Sequence, residues 1–293
     1  MEPQKVTYFT EISLMMFGFG DSHKPNPETV RYVETIVLKQ LRTILNEATK
    51  YWDGKLLRGE ELVFLMRKNK WKMRRFVKYL NLKHLISTRC ESKLETQPKP
   101  VRPHELLDFI DRIDETGELT DLSELDEVVH QRQVRAGYIS QALDDAKYLE
   151  FQKARCVSFN SRGTSRSANL EKLRAWVDPK KLINTSDIAM EVLAYYAYQT
   201  VAEMIDYALL VRMDAKRTGD PLSNLSGFHY TAAMFVGEHR FSGPNPDYSR
   251  VYSGQPPITV AEIREVMRRF NVSQAGRLTF GDKLPETSFL FAL

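Results

Sequence analysis

Cysteine is nearly missing from this chain, since Cys90 and Cys156 are the only two in 293 residues. Two isolated cysteines cannot build a disulfide framework, and neither has the neighbouring ligands of a zinc site. A reducing intracellular compartment is therefore expected, with no metal. Six histidines (His23, His84, His104, His130, His229 and His239) stand far apart, with no His-X-X-X-His pair, no Gly-X-Ser-X-Gly elbow and no glycine-rich phosphate loop. Asp111 to Glu118 invites a calcium loop, but counting Gly117 as position six puts Arg112 at position one and Ser123 at position twelve. A cation replaces the first ligand and no bidentate Glu closes the loop. The sequence predicts no catalytic residue, no cofactor and no metal ligand.

Long apolar runs are missing too. The most apolar segment, Thr185 to Lys216, carries Glu191, Glu203 and Asp206. Its uncharged stretch from Val192 to Ala202 is about half of the roughly twenty residues that a bilayer requires, so no membrane span is expected. The first ten residues have no apolar h-region, and secretion is not expected.

What the chain does have is 42% hydrophobic residues, enough for a sizeable core, and a net charge of +4 that is unevenly spread. Residues 1–90 carry 17 Lys and Arg against 9 Asp and Glu; residues 91–150 carry 7 against 15, and residues 151–293 carry 18 against 14. Basic folded segments joined by an acidic connector are the expected organisation.

The organising element is Thr185 to Lys216, which contains neither Pro nor Gly. Thr185 and Ser186 can cap its start, Asp187 suits its positive end and Arg212 and Lys216 its negative end, so one long helix is predicted. Ile188, Val192, Tyr195, Ala202 and Leu209 make one apolar row and Leu193, Tyr196, Met204 and Leu210 others, so the helix needs cover on more than one side. The three tyrosines Tyr195, Tyr196 and Tyr198 read as packing rather than a ligand cage.

Apolar periodicity places further helices at Phe9 to Phe19, from Val30 to about Tyr51, at Glu60 to Arg67 and from Trp71 onward. Glu91 to Arg135 reads as a mostly exposed acidic linker with one helical patch, Glu105 to Ile113. Tyr138 to Arg155, Leu170 to Val177 and Thr259 to Phe270 are the remaining helices, and residues 218–257 read as an irregular insertion. Both halves then run short, long, short. The predicted domains are residues 1–90, a linker over 91–137, and 138–293. That layout is two histone folds in one all-α chain, pairing intramolecularly because each long helix exposes more apolar surface than its own short helices cover.

The residues carry a more specific likeness. Glu11-Ile-Ser-Leu-Met-Met, Leu57-Arg-Gly-Glu-Glu-Leu-Val-Phe-Leu-Met-Arg-Lys, Asp114-Glu-Thr-Gly-Glu-Leu, Ala189-Met-Glu-Val-Leu-Ala-Tyr and Thr200-Val-Ala-Glu-Met-Ile-Asp-Tyr-Ala-Leu-Leu-Val-Arg are among the matching stretches. Together they resemble the transcription initiation subunit of the SAGA coactivator, third of the suppressor-of-Ty series, over about residues 8–280. Arg58-Gly59 depart from the Ser-Pro expected at that helix start. The resemblance implies a nuclear, non-catalytic SAGA subunit, with halves similar to the thirteenth and eleventh TBP-associated factors. It implies recruitment of the TATA-box-binding protein, TBP, to RNA polymerase II promoters, beside other SAGA subunits including histone-fold proteins.

Two candidate surfaces follow. Gln199, Glu203 and Asp206 recur at +4 and +3 and form one polar stripe, expected to reach the surface because buried acids without partners are costly. The stripe is the candidate TBP contact, with an intramolecular pair to Arg174, Arg264 or Arg268 as its alternative. Lys68, Lys70, Lys72, Arg74, Arg75 and Lys78 form a basic patch interleaved with aromatics, which suits a partner or weak promoter DNA contact. An alternative function is therefore a histone-like DNA-binding module built on that helix.

Overall fold

In the computed structural model, residues 6–91, 105–160, 166–216, 256–278 and 289–293 are described, and the chain is all-α, as predicted, with no strand among those residues. Among the described residues ten α-helices run in the order α1 (Phe9–Phe19), α2 (Pro27–Ala48), α3 (Glu60–Met66), α4 (Lys70–Glu91), α5 (Glu105–Ile113), α6 (Glu127–Ala142), α7 (Asp145–Arg155), α8 (Arg166–Val177), α9 (Asp187–Lys216) and α10 (Val260–Leu278). The predicted insertion at 218–257 lies, except for its last two residues, outside the described residues.

Local chemistry explains the boundaries. Asn26 caps α2 by accepting from the Glu28 N–H, with Pro27 in the first turn where its missing donor costs nothing. Gly59 precedes α3 at φ +103, and in place of a Ser-Pro start the Glu61 carboxylate accepts from the backbone N–H groups of both Arg58 and Gly59, at 3.0 and 3.2 Å. The Ser186 hydroxyl accepts from Ala189 N–H at the start of α9. Thr259 and Glu262 exchange bonds in a capping box that starts α10.

The long helices α2 and α9 pack on one another, and both lie in a single apolar core. Two seams fix their sense. After α2, Leu57 pairs with the loop before α9: its N–H donates to Asn184 and its carbonyl accepts from Ser186, both at 2.9 Å. At the start of α2, Thr29 donates to the Ile258 carbonyl, and Asp21, just before the helix, accepts from the Ile258 N–H, both at 2.8 Å, beside the segment that follows α9. The end of each long helix therefore lies beside the start of the other, and they run head to tail. Tyr196 of α9 is fully buried and donates to the Leu62 carbonyl of α3 at 2.8 Å, so this tyrosine is packing.

Three expectations need correction. Tyr138 to Arg155 is not one helix: Leu143 is extended, and Asp144 restarts the chain as α7 by accepting from the Lys147 N–H at 2.9 Å. The acidic connector is not mostly exposed, since Leu106 and Ile110 of α5 enter the core and α6 begins at Glu127, inside the stretch read as linker. Residues Phe289–Leu293, for which no structure was predicted, return to the core. Phe291 is fully buried against Tyr207, Phe270 and Phe289, and Gln40 brackets the segment by donating to the Phe289 carbonyl and accepting from the Phe291 N–H.

Candidate functional site

The polar stripe of α9 does not reach the surface. Gln199, Glu203 and Asp206 are all buried, 6–9% exposed, beneath α4 and α6. The periodicity placed the three on one face correctly, but partners from the connector cover that face. Arg132 of α6 donates through Nε to Asp206 Oδ2 at 2.6 Å and reaches Gln199 Oε1 at 3.4 Å, while Arg135 donates to the other Asp206 oxygen. Glu203 meets Lys72 at 3.3 Å and Arg75 at 3.8 Å, both from α4. The intramolecular partners are therefore Arg132, Arg135, Lys72 and Arg75, not Arg174, Arg264 or Arg268. Arg174 turns instead to Glu171, Thr185 and Asp187. Arg268 is exposed on α10 and pairs with Glu265.

Electrostatics of the cluster are dominated by burial. Glu203 is held above the usual carboxylate range by desolvation, only partly opposed by Lys72, Arg132 and Arg75. Lys72 is pushed down for the same reason, opposed by Glu203. Asp126, at the start of α6, goes the other way. Burial raises it, but Arg75, which donates through Nε and Nη2 at 2.7 and 3.1 Å, outweighs that and leaves it low. A bidentate Arg–carboxylate pair is the geometry that can offset desolvation, and the single Lys72 contact is not.

The basic patch is broken up by the same connector. Lys68 and Lys70 are exposed, but Arg74 is buried, donating to the Glu118 carbonyl at 2.6 Å and pairing with Glu124. Arg75 belongs to Asp126, and Lys72 also donates to main-chain oxygens of Phe291 and Leu293. Half of the six basic residues that were to face DNA thus neutralise the acidic stretch 118–126 and the α9 stripe. Lys78 is half-buried and has no acidic partner among the described residues. Asp114, inside the dismissed calcium loop, ties its own turn by accepting from Leu119 N–H, Thr120 N–H and the Thr120 hydroxyl.

Sequence reasoning missed Arg132 and Arg135. They sit three apart and share one face of α6, but that signal is visible only if a helix is started at Glu127 rather than Tyr138. A capping Asp126, accepting from Val129 N–H, was the local cue.

Comparison with known proteins now places the chain. The family model for the transcription initiation factor IID 18kD subunit matches residues 6–93, the segment holding α1 to α4. The SAGA complex subunit Spt3 of Drosophila melanogaster is 33% identical over 276 residues, covering 90% of this chain and 67% of the relative. Its counterpart in Schizosaccharomyces pombe is 25% identical over 293 residues, 90% of each chain. Transcription initiation factor TFIID subunit 13 of Arabidopsis thaliana is 30% identical over 109 residues, 36% of this chain and 81% of that protein. With an all-α fold over the described residues and a relative 33% identical, matched across nine-tenths of this chain and 67% of its own length, this chain belongs to the Spt3 family of transcription proteins.

Proposed function

We propose that this chain is a non-catalytic, nuclear subunit of a SAGA-type coactivator whose two halves form an intramolecular histone-fold pair, and that it docks TBP to support initiation by RNA polymerase II. The observation that carries the proposal is the identity to a SAGA complex subunit over 90% of the chain. The match of residues 6–93 to a TFIID subunit supports a histone-like N-terminal half. The head-to-tail long helices with a loop seam at each end support the pairing.

In this reading the α9 stripe is the TBP-facing surface, and it becomes available when α6 lifts. TBP is basic, so Glu203 and Asp206 are complementary to it once Arg132 and Arg135 withdraw. The experiment is capture of purified TBP by the full chain, compared with an Arg132→Glu, Arg135→Glu variant whose helicity is checked by circular dichroism. Repulsion from Asp206 should loosen α6 and raise capture severalfold, most at low salt. Unchanged capture by a folded variant places the contact elsewhere, and no capture by either protein removes the TBP role.

A further inference from the structure

Beside the ion cluster, α1, α4, α6 and α9 enclose an open groove of about 690 Å³, within the size range of sites that hold ligands or short peptide anchors. Its floor is aromatic, with Phe19 and Tyr198 in contact at 5.1 Å between ring centroids. On its rim Leu82 and Leu125 are 61% and 65% exposed, unusually open for leucines that border a shared apolar surface.

The charge of the groove is one-sided. Asp126 is the only acid among its described lining residues, and Arg75 already holds both of its oxygens. Lys78 and Arg155 also line it, and neither has an acidic partner among the described residues. Unpaired cations around an aromatic and aliphatic floor select for carboxylates flanking bulky apolar side chains.

We propose that this groove is a docking site for an acidic amphipathic segment of a partner protein, one that sets leucine or aromatic anchors on the floor and carboxylates against Lys78 and Arg155. The rest of this chain does not supply such a segment. Residues 1–5, 92–104, 161–165 and 217–255 are neutral or basic in sequence, and 279–288 carry a single net negative charge. The acidic stretch 118–126 is committed to Arg74 and Arg75. The groove shares Gln199, Arg132 and Arg135 with the α9 stripe and its cover, but the proposal is read from peptide binding without TBP, so its failure and a failure of TBP capture are distinguishable.

The test uses the full chain and three fluorescent probe peptides that share leucines at helical spacing. In one the remaining positions are Asp and Glu, in the second Asn and Gln, and in the third Lys. Fluorescence anisotropy should show the acidic probe binding at least tenfold tighter than the amide probe, and the Lys probe weakest. Lys78→Glu with Arg155→Glu should weaken the acidic probe tenfold or more and leave the circular dichroism spectrum unchanged. Should that variant misfold, Leu82→Asp with Leu125→Asp, at two exposed rim positions, reads the same loss. Cys156 lines the groove and is exposed, so a chloroacetamide on the acidic probe should alkylate it in preference to Cys90. Equal affinity for acidic and amide probes, adducts confined to Cys90, or a concentration-dependent dimer that protects Cys156 would overturn the proposal.

Discussion

At the scale of single residues, Asp21 shows how a buried acid can be structurally necessary and energetically costly at once. It is 5% exposed at the seam before α2, where one oxygen accepts from Ser22 N–H at 2.7 Å and from Ile258 N–H at 2.8 Å. Its other oxygen is buried with no hydrogen-bond partner among the described residues. Burial pushes its pKa from 3.8 up to about 6, against the lowering effects of those two N–H groups and of Arg212. The folded chain therefore binds more protons than the unfolded chain between about pH 4 and pH 6. Stability falls as pH rises through that window, and the loss, about 3 kcal/mol at about 1.4 kcal/mol per pKa unit, persists above it. Asparagine keeps an oxygen for both donors and cannot ionise. Asp21→Asn is expected to flatten the urea-midpoint profile between pH 4 and 6 and to match or exceed the parent at pH 7.5; an unchanged slope would assign the titration to another group. Asp206, by contrast, is met by two charges, since Arg132 and Arg135 both pair with it. Asp206→Ala removes the carboxylate that both guanidinium groups share and is expected to cost about 3–5 kcal/mol.

At the scale of elements, periodicity located most of the helices, and it failed wherever charge rather than apolar spacing decides packing. The bounds of α1, α3, α5 and α9 fall within a residue or two of those read from the sequence, because each has an uninterrupted apolar row and a capping or stop residue. The connector was read as exposed because its acids have no apolar face of their own. Their partners, Arg74 and Arg75, lie some fifty residues away on α4 and cannot be seen locally. The stripe was legible as a face of α9, but not as a buried one, for the same reason. Gly18, in the last turn of α1, marks a close approach: a Cβ there would stand 3.2 Å from the backbone carbonyl group of Ala154 in α7. The α6–α7 hairpin is anchored apolarly by a small separate cluster, Phe17, Ala136, Ile139, Phe151 and Ala154. Backbone atoms cannot step aside as a flexible side chain can, so Gly18→Ala should lift α7 from α1. Hydrogen exchange is expected to accelerate tenfold or more in α6 and α7 while the buried amides of α2 and α9 keep their protection. Uniform acceleration would mean instead that the hairpin and the central helices open as one unit.

At the scale of the whole molecule, the contacts that close the fold join residues from its two ends. Leu57 with Asn184 and Ser186, Thr29 and Asp21 with Ile258, and Gln40 with Phe289 and Phe291 all link the first sixty residues to the last hundred and ten. Apolar surface is shared in the same way: Val33, Val37, Leu41 and Ile44 of α2 and Leu193, Ala197, Val201 and Met204 of α9 belong to one core, and all eight are fully buried. A chain divided between residues 96 and 97 therefore carries on each piece a long helix with its apolar face open to water. Two polypeptides, 1–96 and 97–293, are expected to be insoluble or molten when produced alone and to form a one-to-one complex when co-expressed, with helicity close to that of the intact chain. The complex should melt below the intact chain and depend on concentration, because joining two pieces costs association entropy that the linker otherwise removes. Charge gives a second, independent handle. The 97–293 piece keeps the acidic stretch 118–126, whose partners Arg74 and Arg75 sit on the other piece, so assembly should be faster at low salt. Separate pieces that each melt cooperatively as monomers, with no gain on mixing, would mean that the halves are independent domains and that the proposed intramolecular histone-fold pair is wrong.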